Sequence, residues 1–336
     1  MQEVKIELPD DEMRLKFEAN ESIVFASSSG HCNLDCSYCV VEPVIKHKPS
    51  LTYDDLRFVQ DRLGGRVFFI FSGRGDFFAG YRKSERLLAR LLEHEDVAVA
   101  LDVNGVAIHE FLELTREQLT RIRHINLTFH YRQLIDHRAL GTWHRNALAM
   151  LDAADGDDFF VNYILSPPER ELWESGLSWY RENIFDVCGK QLVLINNVNL
   201  PLSGDDEAFV AALRERYGSM IRSLRIGNFE SILKEFTQVS CPAGQTYLRV
   251  WNDGQIDACP NLVPLQNIGN AKERRLDLRT EPFYCSDVRH CDCYHLASAG
   301  KLTYFRNVSS DTRSAPLPPA RGGGRVLAWL RQVVPR

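Results

Sequence analysis

From residue 22 onward the chain alternates short, almost continuously apolar runs with segments of helical periodicity. That alternation limits what it can fold into more than any other feature. The apolar runs are 22–27, 67–72, 97–103, 125–130, 159–165 and 192–198. A strand covered on one face alternates apolar and polar residues, whereas a parallel strand buried on both faces is apolar throughout. Between the runs lie helical segments. Thr52 and Asp55 form a capping-box pattern ahead of Leu56, Val59 and Leu63. Leu87, Leu88, Leu91 and Leu92 make a second apolar stripe. Thr142 opens a helix carrying Ala147, Leu148 and Leu151, and Ser203 with Asp206 caps one carrying Phe209, Val210 and Leu213. Six βα units over roughly 200 residues fall short of the ~250 typical of a closed eight-unit barrel. The predicted fold class is therefore α/β: a partial (β/α)6 TIM-like barrel, open on one side.

The flanks differ. Residues 3–8 and 13–18 alternate about Pro9-Asp10-Asp11-Glu12 and predict a β-hairpin. Past residue 220, a strand at 245–251, the turn Asn252-Asp253-Gly254 and a strand at 255–258 predict a small C-terminal β-hairpin/helix domain. Residues 307–324 read as a Ser-, Pro-, Arg- and Gly-rich linker, and 325–334 as a helix docking on the body. The expected division is 1–21, 22–220, 221–305 and 306–336. No apolar stretch approaches the ~20 residues of a membrane span, and the charged N-terminus is not that of a signal peptide. A net charge of −5 without a long basic run before residue 300 predicts neither nucleic acid nor membrane as a partner, and a cytoplasmic location.

Nine cysteines in a chain of this kind point to metal or catalysis rather than to disulfides. Cys32, Cys36 and Cys39 fall just after the first strand, at the end where parallel barrels place their active sites. Three thiolates this close can hold one iron–sulfur cluster and leave an iron open for a further ligand. The alternative is a zinc site completed by His31 or structural thiols.

This run, with Tyr38 before the last cysteine, resembles the signature of the radical S-adenosylmethionine superfamily. The resemblance covers about residues 22–200 and extends to successive strand ends. Ser72-Gly73-Arg74-Gly75-Asp76 is similar to the family's glycine-rich turn, with Asp where Glu followed by Pro is usual. Asp102-Val103-Asn104-Gly105 is similar to its Thr-Asn-Gly, while Thr128 and Asn162 fall where it uses polar groups toward the cofactor. The resemblance implies a 4Fe–4S cluster on Cys32, Cys36 and Cys39 whose open iron binds the amino and carboxylate groups of S-adenosylmethionine. It further implies Tyr38, Gly73, Gly75, Asp76, Asn104, Thr128 and Asn162 as cofactor-binding residues, with Asp76 toward the amino group. An electron cleaves the sulfonium bond, and the 5′-deoxyadenosyl radical takes hydrogen from a substrate. The family's Gly-Ile-Gly-type element on a later strand is not recognisable, which leaves adenine contacts there unassigned.

Cys241, Gly254 and Cys259, followed by Cys285, Cys291 and Cys293, resemble the twitch and SPASM extensions of the same superfamily. Five cysteines suffice for one fully ligated auxiliary 4Fe–4S cluster with one thiol spare, so the shorter twitch form fits better; a zinc ribbon is the alternative. Cys188 stands alone, as an inert thiol or a hydrogen-atom donor. His130 shares a strand face with Thr128 and is either a proton acceptor or a structural histidine.

Asn-rich strand ends at Asn162, Asn196, Asn197 and Asn199, with Tyr131, Tyr163 and His130, suit a small polar substrate such as a sugar, cyclitol or nucleoside. Only about 20 residues precede the first strand, and Tyr131-Arg132-Gln133-Leu134 follows the fourth. Both depart from the branch of the family that matures peptides. A fully ligated auxiliary cluster favours net oxidation, with epimerisation, decarboxylation or peptide maturation as alternatives, and an iron–sulfur or zinc binding protein as the non-enzymatic reading. The resemblance implies a flavodoxin- or ferredoxin-like electron donor.

Overall fold

The structure is a computed structural model, and it describes residues 2–4, 18, 20–27, 31–36, 38–39, 51–73, 75–80, 85–154, 159–196, 200–222, 238–259, 267–285 and 303–306. In chain order the strands are β1 (Gln2–Val4), β2 (Ser22–Ala26), β3 (Val67–Phe71), β4 (Val97–Val103), β5 (Ile122–Phe129), β6 (Phe159–Leu165), β7 (Leu192–Asn196), β8 (Ile221–Arg222), β9 (Gln238–Cys241), β10 (Tyr247–Val250), β11 (Gln255–Asp257), β12 (Asn267–Asn270), β13 (Arg275–Leu276), β14 (Phe283–Cys285) and β15 (Thr303–Arg306).

Strands β2 to β8 run parallel in sequence order, each joined to the next through helical segments. This is the predicted partial barrel. The capping boxes at Thr52/Asp55 and Ser203/Asp206 form as read and open helices Tyr53–Leu63 and Gly204–Arg216. The Thr142 helix begins earlier, at Leu140.

Alternate residues of each strand divide between two faces. Val24, Ala26, Phe69, Phe71, Val99, Leu101, Leu127, Phe129, Val161 and Leu165 pack with Leu56, Val59, Leu88, Leu91 and Trp143 of the helices. That is the outer, helix-covered face. Phe25, Ile70, Ala100 and His124 lie in register on the opposite, inner face. Near-continuous apolarity reflects burial of the strands on both sides: β3 and most of β4 are buried residue after residue.

Two features depart from the sequence reading. First, β10 adds to the free edge of β2 in parallel, with Arg249 opposite Phe25 and Val250 opposite Ala26. Strands β11, β12 and β13 then continue antiparallel, so the barrel sheet has eleven strands among the described residues. The expected hairpin at Asn252-Asp253-Gly254 forms between β10 and β11, but as an extension of the barrel sheet. Second, β1 pairs with β15 near the other end of the chain, in a separate four-stranded antiparallel sheet ordered β1-β15-β9-β14. The partner strand expected at 13–18 lies outside the described residues, apart from Glu18. The linker and the C-terminal helix lie outside them entirely. Among the described residues no helix is long and apolar enough to cross a membrane.

Gly105 closes the turn after β4 with φ at +75°. A Cβ there would stand 2.5 Å from Leu127 Cδ1 and 3.1 Å from the Trp143 indole. Gly105→Ala combines backbone strain with overpacking against a fully buried tryptophan, and is expected to cost about 2 kcal/mol in urea unfolding. Wild-type stability of that variant would contradict the packing described.

Candidate active site

The C-terminal ends of β2, β3 and β4 are held together by one residue, Asp76, through its carboxylate and its own N–H. Asp76 ends the turn after β3, and its backbone N–H donates to the His31 carbonyl at 2.6 Å. Asp76 Oδ2 accepts the Asn104 N–H at 2.6 Å and Oδ1 accepts the Ala79 N–H at 3.0 Å. Burial pushes this carboxyl up to about 6, while its backbone hydrogen bonds oppose the shift. Asp76 is 2% exposed, and both of its oxygens accept from backbone amides. Gly73 and Gly75 shape the same turn at φ +95° and +88°, a region closed to most side chains.

Asn104 passes this order to the cysteine loop. Its Nδ2 donates to Asn33 Oδ1 at 2.6 Å and lies 3.4 Å from Cys32 Sγ. Its Oδ1 accepts the Val106 N–H at 3.0 Å. The Leu34 N–H also points at Cys32 Sγ, at 3.4 Å. Two donors on one sulfur favour the thiolate. Burial opposes it: the Cys32 thiol is raised, and Cys36 is pushed up to about 12, first by burial and then by the charges of Cys32 and Cys39. Three thiolates in this loop therefore need a cation to offset their burial and mutual repulsion, and a bound metal inverts that balance. The donor set fits an iron–sulfur cluster. Among the described residues no group of three thiol, imidazole or carboxylate side chains is gathered for a single ion.

Tyr38 and His130 close the loop from the other side. The Tyr38 hydroxyl lies 2.8 Å from His130 Nδ1, and their rings stack at 5.9 Å. Cys36 Sγ stands 3.6 Å from the same nitrogen. Burial lowers His130 to about 4, so its imidazole is neutral near pH 7. Nδ1 is engaged by the loop, which gives His130 a role in fixing Tyr38.

The inner face carries Thr128 and Asn162 side by side, in register between β5 and β6. Asn162 is 7% exposed, and its Oδ1 is sealed from solvent without a partner among the described residues. One step deeper, Asn126 Nδ2 donates to Asp102 Oδ1 at 2.8 Å. Asn196 ends β7 and is exposed, whereas Asn197 and Asn199 lie outside the described residues.

Two residues escaped the sequence reading. Glu169 lies in the 3₁₀ turn Pro167–Leu172 after β6, is 8% exposed, and is pushed up to about 7 by burial. Its charge bears on Cys36, Tyr38 and Tyr163, which places it beside the cysteine loop. The local signal was an acid in a first turn opened by Pro167-Pro168 at a strand end. Arg249, on the inner face of β10, had no local signal, because nothing in its own segment announces a parallel pairing with β2.

The remaining thiols separate. Cys188 ends a short helix four residues before β7, exposed, with its Sγ donating to the Ile184 carbonyl at 3.2 Å. It therefore belongs to the N-terminal end of the strands, opposite the cysteine loop. Cys241 and Cys285 lie on paired strands, Cys241 opposite Phe283 and Cys285 opposite Val239. This parity puts them on one face of the small sheet. Cys259 follows β11, and all three are buried. Cys291 and Cys293 lie outside the described residues.

No model of a known protein family matches this sequence, and no curated protein matches it. Solved structures do. The chain is similar to anSMEcpe with bound AdoMet and Cp18Cys peptide, at 16% identity and TM-score 0.46, over 75% of this chain and 78% of that one. It is also similar to BtrN in complex with AdoMet and 2-DOIA, at 15% identity and TM-score 0.34, over 83% of this chain and 87% of that one.

Glu169 yields a pH test. Its folded-state pKa lies above that of an unfolded glutamate, so the folded state binds the proton more tightly. Its contribution to stability is greatest below about pH 4 and is lost as pH rises toward 7. Relative to Glu169→Gln, the wild type is expected to lose stability between pH 4 and pH 7 in denaturant titrations. Parallel pH profiles for the two proteins would contradict the burial assigned to this carboxyl.

Proposed function

We propose that this chain is a radical S-adenosylmethionine enzyme acting on a small polar molecule. The observation that carries the reading is the link from the cysteine loop, through Asn104, to Asp76, whose carboxylate and backbone N–H tie together three strand ends. When bound, a 4Fe–4S cluster on Cys32, Cys36 and Cys39 supplies the electron that cleaves the sulfonium bond of S-adenosylmethionine, and the resulting 5′-deoxyadenosyl radical takes hydrogen from the substrate. The reductant is a flavodoxin- or ferredoxin-like protein.

The chain's own residues account for positioning. Asp76 and Asn104 fix the loop against β3 and β4. Neutral His130 holds the Tyr38 ring. Gly73 and Gly75 let backbone approach a ligand closely. Thr128 and Asn162 offer polar groups on the inner face, and the orphaned Asn162 Oδ1 suits a hydroxyl or N–H of cofactor or substrate, since a buried acceptor without a donor is costly. Apolar neighbours such as Phe25 and Ile70 limit water beneath the site.

Cys241 and Cys259, with Cys293 and either Cys291 or Cys285, form the proposed auxiliary cluster, which leaves one thiol spare. Its presence favours oxidation of the substrate over epimerisation or decarboxylation. The division into a barrel at 22–220 and an auxiliary unit at 221–305 is a functional proposal, with the two joined through the β2–β10 pairing.

Reconstituted, reduced protein incubated with S-adenosylmethionine is expected to release 5′-deoxyadenosine, and Cys36→Ala is expected to lower this at least 100-fold, the order of loss when a group required for chemistry is removed. Equal, background release from both proteins would rule the reading out. Iron analysis should give about eight iron atoms per chain if both clusters form. Zinc in place of iron would favour the binding-protein alternative.

A further inference from the structure

Beneath the row of strand ends that meets the cysteine loop lies a second polar row. Thr128 is opposite Asn162 in the upper row, and Asn104 follows Val103, which is opposite Leu127. One row deeper, Asp102 is opposite Asn126, which is opposite Phe160. The flanking residues Leu101, Val103, Leu127 and Val161 belong to the helix-covered core, so Asp102 and Asn126 project from the inner face. Residues two apart on a strand are separated by about 7 Å along it, which sets Asp102 about 7 Å beneath Asn104, whose side chain meets Cys32.

The deeper row offers acceptors. Asn126 Nδ2 donates to Asp102 Oδ1 at 2.8 Å. A carboxylate only accepts, so this bond fixes which way the Asn126 amide points. Asn126 Oδ1 is left sealed from solvent with no partner among the described residues. Asn162 Oδ1, diagonally above it, is in the same state on a side chain that is 7% exposed. Asp102 is half-buried, and among the described residues its carboxylate meets Asn126 and no cation. Arg249 stands on β10, separated from β4 by β2 and β3. Below the row, the His124 and Phe160 rings lie 5.0 Å apart, and Ile70 and Ala100 add no polar group.

A half-buried carboxylate without a cation and a buried carbonyl without a donor are both costly, and a ligand that brings donors relieves both. A hydroxyl brings one donor and leaves the Asp102 charge unbalanced. A primary ammonium brings three donors together with the balancing charge, enough for Asp102 and for Asn126 Oδ1 at once. An anionic ligand meets repulsion there.

We propose that Asp102 and Asn126 form an ammonium subsite for the substrate, which makes that substrate a small amine carrying a further O–H or N–H for Asn162. The inference rests on the function proposed above and narrows its substrate class from polar to cationic. S-adenosylmethionine also carries an ammonium group, so the test separates the two molecules.

The probes are glycerol and serinol, which is glycerol with its central hydroxyl replaced by an amino group. Their affinities for the reconstituted full chain are read by ligand-observed nuclear magnetic resonance, with and without S-adenosylmethionine, in the wild type and in Asp102→Asn. Equilibrium dialysis gives the S-adenosylmethionine affinity of both proteins. The wild type is expected to prefer serinol, and Asp102→Asn to reduce that preference about tenfold while glycerol and S-adenosylmethionine bind as before. No preference for serinol in the wild type, or a preference that Asp102→Asn retains, overturns the proposal. A fall in S-adenosylmethionine affinity on the same scale in Asp102→Asn gives the carboxylate to the cofactor and also overturns it. Should the wild type bind no S-adenosylmethionine, the enzyme reading fails by itself, and the serinol preference of the cofactor-free protein decides the subsite.

Discussion

The site depends on a single buried carboxylate that accepts backbone hydrogen bonds. Asp76 belongs to the turn after β3, yet its hydrogen bonds reach the turn after β4 and, through its own N–H, the segment that leads into the cysteine loop after β2. Turns at strand ends carry little apolar surface with which to hold themselves. Backbone hydrogen bonds to an ionised acceptor are stronger than neutral ones and fix direction as well as distance. Asn104 carries the constraint one step further, since its N–H is held by Asp76 while its side chain contacts Asn33 and Cys32. The position of the first thiol is thus set by two strands that follow it in sequence. This is the preorganisation expected of a site that must place a metal group accurately.

The barrel beneath is a conventional solution to burying apolar strands. Its outer face packs on helices through residues such as Phe69, Phe129 and Trp143, and its inner face is narrow and mixed. Polar groups on the inner face concentrate on β4, β5 and β6, as Asp102, Asn126, Thr128 and Asn162, while Phe25 and Ile70 line the β2 and β3 side. Arg249 adds a cation on β10, beside β2. Among the described residues the mouth therefore presents donors, acceptors and a positive charge.

Much of this was legible in the sequence. The runs at 97–103 and 159–165 coincide with β4 and β6, because burial on both faces leaves a strand apolar throughout. The capping boxes at Thr52 and Ser203 mark helix starts, because the side-chain to backbone exchange is local. The cysteine spacing is local too. What escaped the sequence depends on long-range pairing. Nothing near Arg249 reveals that β10 lies parallel to β2, more than two hundred residues earlier, and nothing near Gln2–Val4 reveals its pairing with Thr303–Arg306. Cys188 was ambiguous for the same reason: only the strand direction shows that it belongs to the far end of the sheet. Asp76 was read by its charge, as a partner for an ammonium group, while its burial and its bonds to backbone amides of two turns depend on the fold.

Cys32, Cys36 and Cys39 are proposed to hold a cluster with one iron open to S-adenosylmethionine. Electron paramagnetic resonance of the reduced, reconstituted protein, with and without S-adenosylmethionine, tests it most directly. In Cys241→Ala/Cys259→Ala protein, where the auxiliary site is disabled, the account predicts a remaining four-iron signal whose g-values shift when S-adenosylmethionine is added. A four-iron signal that is unaltered by S-adenosylmethionine, or its absence from that variant, would contradict the account.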